Sequence, residues 1–240
     1  MINDYIEYIF DSFLEIKGDR KSGEDKSVPG GLAYIKDKKV VIIGYQQAIS
    51  SDDIKYPEPE GYRKSIRLMA LAETFNKPVI TFIDILETDN LISAGHQKML
   101  ESTTQALECM LNLKVPVISV IMGKKNSELT LDLCASDRTI MLDGASCTLY
   151  TTECEPSKDK DTTYKFCLNS DELIKMNIVD RVVKYSPDDG PKSIGKIWRD
   201  AILDELKSLA EIKPETLIEQ RFNRLQAEFL SLKNISSSQF

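Results

Sequence analysis

Three short, continuous apolar segments constrain the fold of this chain more than any other feature of its sequence. They cover residues 79–83, 117–122 and 139–142. Segments with the periodicity of amphipathic helices lie between them, at about residues 94–113 and 126–134. A strand that is apolar at every position is buried on both faces, as in a sheet covered by helices. The alternation therefore predicts an α/β fold with right-handed crossovers.

The N-terminal part adds a helix and a hairpin to this pattern. Apolar residues at helical spacing predict a helix over residues 4–16. Two apolar runs, at residues 32–35 and 40–44, flank a polar tetrapeptide and predict a β-hairpin. Residues 50–61 are polar, contain two prolines and predict a loop, and residues 62–75 predict a further helix.

The C-terminal part predicts a polar segment followed by two long helices. Residues 151–163 are expected to form a surface loop or a lid, and residues 195–212 a helix. A second helix is expected to begin at Pro214 and to carry an apolar stripe, packed on its own domain or at a subunit interface: Ile218, Phe222, Leu225, Phe229 and Leu232. The Ser-rich tail, residues 234–240, is expected to fray. Because no linker interrupts the chain, residues 1–240 predict a single domain with C-terminal helices over about 195–232.

Charge and cysteine content exclude several classes of function. The chain has 31 Lys and Arg against 38 Asp and Glu, a net charge of −7, which disfavours nucleic-acid binding. The start lacks a secretory signal and no apolar run approaches ~18 residues, so we expect a cytoplasmic protein without a membrane span. Five cysteines without a CxxC pair, and His96 as the only histidine, predict no metal site and no histidine-based triad.

One segment has the organisation of an anion-binding turn. Residues 117–129 read as a buried strand, a turn at Gly123 and the start of a helix near Asn126. Backbone N–H groups at a helix start carry partial positive charge and can stabilise an oxygen on which negative charge develops. The signal is weak by itself, because every α/β protein contains several strand-to-helix turns.

A longer pattern resembles a known family. Residues 57–69 (PEPEGYRKSIRLM) resemble the PEGYRKALRLM stretch of the carboxyltransferase α subunit of bacterial acetyl-CoA carboxylase. Further segments resemble that family in the same order along the chain, from about residue 4 to 230: residues 18–31, 40–46, 78–84, 115–118 and 221–225.

The resemblance implies a fold, partners and a cofactor arrangement. The fold would be crotonase-type, a spiral of ββα units with C-terminal helices. The chain would pair with a carboxyltransferase β-like subunit or associate with itself. In this family the α subunit supplies the biotin side, whereas the β subunit carries the acyl-CoA oxyanion hole and the metal-binding cysteines. We therefore expect no directly bound cofactor, and carboxybiotin on a partner carrier if the protein is active.

The chain departs from the family where the carboxybiotin site should lie. The family has GEGGSGGALAIG after its VPVI strand, and the resemblance assigns Gly123, Lys124 and Ser127 to the substrate or biotin pocket. The glycine pair of the oxyanion hole is replaced by Glu128 and Leu129. Glu128 would place a carboxylate where an anion develops, and repulsion at 4 Å is about 4 kcal/mol at an effective dielectric constant of 20.

Two other segments differ from the family as well. After Asp84, residues 85–97 replace a Gly- and Pro-rich loop that shapes the substrate channel. At residues 151–154 the family has SPEG, of which only Glu153, another pocket candidate, is retained. No residue is therefore assigned as catalytic, and whether the chain is an enzyme stays open.

Three functions remain compatible with the sequence. The first is a carboxyltransferase α-like protein that keeps its β-like partner but is impaired or repurposed as a pseudoenzyme. The second is an active carboxyltransferase subunit that makes malonyl-CoA for fatty acid synthesis. The third is a crotonase-type acyl-CoA decarboxylase or hydrolase of a specialised pathway.

Overall fold

The computed structural model describes residues 2–50, 53–55, 57–84, 96–122, 127–128, 135–153, 162–186 and 188–238. The helices among them are α1 (Asn3–Ile9), α2 (Pro59–Thr74), α3 (His96–Leu111), α4 (Ser170–Lys175), α5 (Pro191–Ser208) and α6 (Pro214–Ser238). The first six strands are β1 (Ser12–Glu15), β2 (Gly30–Ile35), β3 (Lys38–Gln46), β4 (Ala48–Ser50), β5 (Asp53–Lys55) and β6 (Val79–Asp84). The remaining strands are β7 (Val117–Ile121), β8 (Ser127–Glu128), β9 (Arg138–Leu142), β10 (Ser146–Glu153), β11 (Thr162–Asn169) and β12 (Arg181–Val183).

A seven-stranded mixed sheet forms the centre of the molecule. Its order is β1-β2-β3-β6-β7-β9-β12, with the strands from β3 to β12 parallel and β1 and β2 antiparallel to their neighbours. A second sheet has the order β11-β10-β8, and β4 and β5 form a separate hairpin. Parallel neighbours joined through helices are the arrangement that the alternating apolar runs predicted.

The central strands are as deeply buried as their sequence predicted. Residues 79–83 of β6 and all of β7 are buried, and β9 is buried at every position after Arg138. Helix α2 packs on β2, β3 and α3, while α5 packs on α1, β7 and β12. Helices α5 and α1 approach each other closely, because a Cβ on Gly195 of α5 would collide with Cβ of Tyr8 in α1.

Two N-terminal predictions are wrong. The helix expected over residues 4–16 ends at Ile9, and residues 12–15 form β1. Strand β1 pairs along its whole length with β2, so pairing across the sheet outweighs the helical spacing of its apolar residues. The loop expected over residues 50–61 contains β5, which pairs with β4, and α2 already begins at Pro59.

Three C-terminal predictions change. The helix expected from Asn126 is wrong at Ser127 and Glu128, which form β8, while residues 129–134 lie outside the described residues. The polar segment 151–163 contains the end of β10 and the start of β11, and its residues 154–161 lie outside the described part. The tail expected to fray from residue 234 is helical in α6 as far as Ser238.

Candidate functional site

The two strands that precede the most divergent segments end side by side in the central sheet. Strands β6 and β7 are parallel neighbours, with Ile83 opposite Ile121. Residues 85–95 follow the carboxyl end of β6, and residues 123–126 follow the carboxyl end of β7 one residue after the strand. In open α/β sheets, ligands bind outside the carboxyl ends of the strands. This edge of the sheet is therefore the candidate site.

Two polar residues at this edge were not identified from the sequence. Gln46 ends β3 and lies opposite Asp84, which ends β6. Gln46 is buried, and its Oε1 accepts the backbone N–H of Ile2 at 3.0 Å. Burial raises the pKa of the Asp84 carboxyl above its ordinary value, and the nearby carboxylate of Asp4 adds to the shift. A carboxyl group of this kind can exchange a proton with a ligand at the edge. The sequence could have indicated both residues, since each is a polar residue at the end of an apolar strand segment.

Strand β8 contains one predicted pocket position, Ser127, and one altered oxyanion-hole position, Glu128. Ser127 and Glu128 pair in parallel with Cys147 and Thr148 at the start of β10. At these two positions the backbone is therefore extended, and the expected helix start is absent among the described residues. Gly123, Lys124 and Leu129, the other predicted positions of this segment, lie outside the described residues.

Glu153 is not brought next to Glu128. It is the last residue of β10, five positions beyond Thr148, the residue opposite Glu128. At ~3.3 Å per residue that is roughly 17 Å along the strand. Of the predicted positions, the structure thus places the adjacent Ser127 and Glu128 beside the start of β10 and sets Glu153 apart.

Two motifs that carry the family resemblance contact each other through a carboxylate. Asp19 accepts the backbone N–H groups of Lys21, Ser22 and Gly23 at 2.8–3.0 Å, and the Nε of Arg63 from α2 at 2.9 Å. These donors, of which the N–H of Gly23 contributes most, lower the pKa of Asp19 far below its ordinary value despite the opposing effect of burial. Asp19 therefore stays ionised and fixes the turn against α2.

The neighbouring motif residues on α2 have similar structural roles. The buried Lys64 pairs with Glu24 at 2.7 Å. A Cβ on Gly61 would collide with Oδ2 of Asp25 and Cγ2 of Val28, so only glycine allows this close approach. Through these contacts, the matched motifs at residues 18–31 and 61–64 hold the scaffold together.

A buried ionic cluster lies beneath α6. Arg221 is 1% exposed and binds Asp137 at 2.7 Å, and its other N–H groups donate to the carbonyls of Met110, Leu113 and Val115 at 2.7–2.9 Å. Burial raises the pKa of Asp137, whereas Arg221 opposes that shift. The sequence reasoning noted Arg221 only as part of a family motif and did not predict its burial.

The second part of this cluster is centred on Arg224. Its guanidinium pairs with Asp180 at 2.6 Å and with Glu228 at 2.8 Å, and donates to the carbonyl of Ile178. A cavity of about 500 Å³ adjoins these groups and is also lined by Asn177 and Gln220. All of its charged lining residues have ionic or hydrogen-bond partners within the protein, which favours a structural role.

The described residues contain no group of three or more His, Cys, Asp or Glu residues arranged to hold a metal ion. Nor does any described helix have the length and apolar character required to cross a membrane.

Comparison with known proteins assigns the family. Residues 1–228 match the family model described as acetyl co-enzyme A carboxylase carboxyltransferase-like. The acetyl-coenzyme A carboxylase carboxyl transferase subunit alpha of Stenotrophomonas maltophilia (strain R551-3) is 36% identical over 240 residues, covering 93% of this chain and 75% of the relative. The chain belongs to the carboxyltransferase α-subunit family. The corresponding protein of Xanthomonas oryzae pv. oryzae (strain MAFF 311018), at 35% identity and the same coverage, agrees with this assignment.

Solved structures that superpose on this carboxyltransferase homologue confirm its fold. A chain of the transcarboxylase 12S hexamer, solved with methylmalonyl-coenzyme A and methylmalonic acid bound, superposes with a TM-score of 0.60 at 14% identity. The match covers 87% of this chain but 42% of that one, so this chain spans less than half of it. A chain of the Pseudomonas malonate decarboxylase hetero-dimer gives 0.51 at 13% identity, covering 85% and 92%. The α/β, crotonase-type fold expected from the resemblance is confirmed.

Proposed function

We propose that this carboxyltransferase α homologue pairs with a β-like subunit and is impaired in carboxyl transfer from carboxybiotin. The biotin would be carried by a partner protein, and an acyl-CoA would be held by the β-like subunit. The family assignment supports the assembly part of this proposal, and the residues of β8 support the impairment.

One observation carries the proposal. Glu128 lies in an extended segment whose backbone pairs with Thr148. An oxyanion hole requires N–H groups that are free to point at the ligand. A short strand engaged with β10 and bearing a carboxylate is poorly suited to that task. The loss of one oxyanion-hole donor costs roughly 2.7–4 kcal/mol, which corresponds to a hundredfold or more in rate.

Two other functions remain as alternatives. An active subunit would make malonyl-CoA for fatty acid synthesis, which the 36% identity to a named α subunit favours. A crotonase-type acyl-CoA decarboxylase or hydrolase would use the same scaffold without carboxybiotin. Asp84, a half-buried carboxyl group at the carboxyl end of β6, is the described residue that favours this third possibility.

The deciding experiment reconstitutes the complete reaction. The chain is combined with the β subunit of its own source and a carboxylated biotin carrier, and malonyl-CoA formation is followed. The reference is the Stenotrophomonas maltophilia α subunit with its β subunit. We expect turnover at least about a hundredfold below the reference. Turnover within about tenfold of it would contradict the impairment.

Three variants separate the causes. The double variant Glu128→Gly and Leu129→Gly should increase turnover, and Glu128→Gln tests the charge with little change in size. Glu153→Gln removes an equal charge at a position roughly 17 Å away along β10 and should give no increase. Release of CO₂ from malonyl-CoA by the chain without a biotin carrier would instead support the decarboxylase.

A further inference from the structure

The cavity beneath α6 has the size of a small-ligand site and a polar lining. Its volume of about 500 Å³ lies within the range of roughly 300–1,000 Å³ that is usual for such sites. Its wall carries two carboxylates and three side-chain amides: Asp180, Glu228, Asn177, Gln220 and Asn223. The three amide residues are exposed, whereas Glu228 is 1% exposed. The amides therefore lie toward solvent, and Glu228 lies at the inner end of the cavity.

The ion pairs on the cavity wall have a structural role, but they leave two acceptor oxygens without a donor. Arg224 Nε donates to Oε1 of Glu228 at 2.8 Å, and its Nη1 donates to Oδ2 of Asp180 at 2.6 Å. The backbone N–H of Thr139 donates to the same Oδ2. Within the part of the chain that the structure describes, Oε2 of Glu228 and Oδ1 of Asp180 accept no hydrogen bond. Both oxygens are therefore available to a donor in the cavity.

A single positive charge serves two carboxylates at this point. Arg224 is shared between Asp180 and Glu228. The other guanidinium groups of the lining are already committed, Arg221 to Asp137 at 2.7 Å and Arg138 to Glu205 at 3.5 Å. A buried carboxylate without full compensation is unfavourable. The charge balance therefore favours a cationic group inside the cavity.

We propose that this cavity binds a small molecule with a primary ammonium group at one end and a hydroxyl or amide group at the other. The ammonium donates to Oε2 of Glu228 and Oδ1 of Asp180, which are neighbours because one guanidinium binds both carboxylates. An ammonium group has three N–H donors and can therefore serve both oxygens. Side-chain amides both donate and accept, so the exposed amides of the wall suit the polar end of the ligand.

The ionisation of Glu228 makes binding depend on pH. Burial raises the pKa of Glu228 to about 6, Arg224 opposes this shift, and the carboxylate of Asp180 adds to it. The remaining charged groups of the elements that line the cavity are Asp137, Arg138 and Arg221. A cation binds the ionised carboxylate, and at pH 5 only about one tenth of Glu228 is ionised. The dissociation constant should therefore be about tenfold higher at pH 5 than at pH 7.5.

This inference goes beyond the proposed function and does not depend on it. Asp137 precedes β9 and Asp180 precedes β12, which are parallel neighbours, so the cavity lies at the amino edge of the central sheet. The candidate carboxyltransferase site lies at the carboxyl edge. Failure of carboxyl transfer would therefore leave binding in the cavity intact, and the reverse holds as well.

A chemical-shift titration of the full chain with aminobutanol tests the ligand class. This probe is a four-carbon chain with an ammonium group at one end and a hydroxyl group at the other. Butanediol, with a hydroxyl group at each end, has nearly the same shape without the charge. We expect saturable binding of aminobutanol in the millimolar range and binding of butanediol at least about tenfold weaker. Equal affinities, or no saturable shift with aminobutanol at tens of millimolar, would overturn the proposal.

Two variants test whether Glu228 holds the ammonium group. Glu228→Gln removes the charge but keeps an acceptor for Arg224, and should raise the dissociation constant of aminobutanol at least about tenfold and abolish its change between pH 5 and 7.5. Asp204→Asn removes an equal charge from α5, outside the cavity lining, where Asp204 is 66% exposed, and should change neither quantity. Thermal unfolding checks that both variants fold. Wild-type binding by Glu228→Gln, or an equal loss in Asp204→Asn, would contradict the site.

Discussion

Glu228 shows how a single ionisable residue can make stability depend on pH. It is 1% exposed, and Arg224 Nε donates to its carboxylate at 2.8 Å. Burial raises the pKa of Glu228 from 4.5 to about 6, and the attraction of Arg224 only partly offsets this effect. Between these two pH values the folded chain binds a proton that the unfolded chain has released. This residue therefore destabilises the fold as pH rises from 4.5 to 6.

The variant Glu228→Gln should abolish this dependence. Because glutamine is neutral and can still accept the Arg224 hydrogen bond, we expect the variant to exceed the wild type at pH 7.5 by up to about 2 kcal/mol in free energy of unfolding. At pH 4 the advantage should vanish. Urea unfolding at both pH values measures the difference in free energy of unfolding between the variant and the wild type. Asp137, whose pKa is also raised, is present in both proteins, so its contribution cancels in that difference. A variant that is less stable at pH 7.5 would show that the ion pair outweighs burial.

At the scale of elements, helix α6 docks through charged residues as much as through apolar ones. Among the positions of α6 whose side chains the structure describes, Leu217, Arg221 and Glu228 are buried, spaced by four and seven residues on one face. Arg221 ties this face to the carbonyls at the end of α3 and at the start of β7, and to Asp137 before β9. Removing one partner of a buried ion pair leaves the other charge uncompensated.

Arg221→Met should therefore destabilise the protein by roughly 3–5 kcal/mol. The adjacent Phe222→Ser serves as the control, and we expect it to cost far less, because Phe222 is 46% exposed. Chemical denaturation of both variants supplies the comparison. Equal losses for the two would mean that the apolar side of α6 contributes as much to docking as the buried guanidinium.

The outcome for α6 also explains which parts of the structure could be predicted from the sequence. Strands β6, β7 and β9 were predictable because a fully apolar run requires burial whatever its neighbours are. The apolar stripe of Ile218, Phe222 and Leu225 predicted the wrong buried face for α6, because that face is centred on Arg221. The burial of an arginine depends on carboxylates and carbonyls from distant parts of the chain, which a local sequence pattern does not reveal. The same limit applies to β1 and β8, whose short strands exist because β2 and β10 pair with them.

The candidate site, too, was predictable only where the local sequence determines the structure. Its location at the carboxyl edge was implied by the order of strands and divergent loops, and Ser127 and Glu128 were identified as altered positions. Their extended backbone was not, because parallel pairing with β10 is a long-range contact. Gln46 and Asp84 escaped notice because each looks like the polar end of an ordinary strand until the register places them opposite each other.

At the scale of the whole molecule, two distinct surfaces are available for assembly. Leu14, Leu32 and Tyr34 lie at the β1 end of the sheet, whereas Phe222 and Leu230, 46% and 57% exposed, lie on α6. Large exposed apolar side chains on a folded domain often mark contacts with other chains. We expect the β-like subunit to cover the exposed positions of α6, in a stable interface that would bury more than ~2,000 Å².

This assignment predicts different effects of two matched substitutions on assembly. Phe222→Asp should weaken the complex with the β-like subunit, because it places a charge within an apolar contact. Leu14→Asp changes an exposed apolar residue at the β1 end of the sheet and should leave that complex unchanged. Mass photometry of each variant mixed with the β-like subunit measures the two effects, and thermal unfolding checks that both variants fold. A wild-type chain that forms no complex with its β-like subunit would contradict the heteromeric assembly, and equal weakening by the two variants would contradict the assignment of the interface to α6.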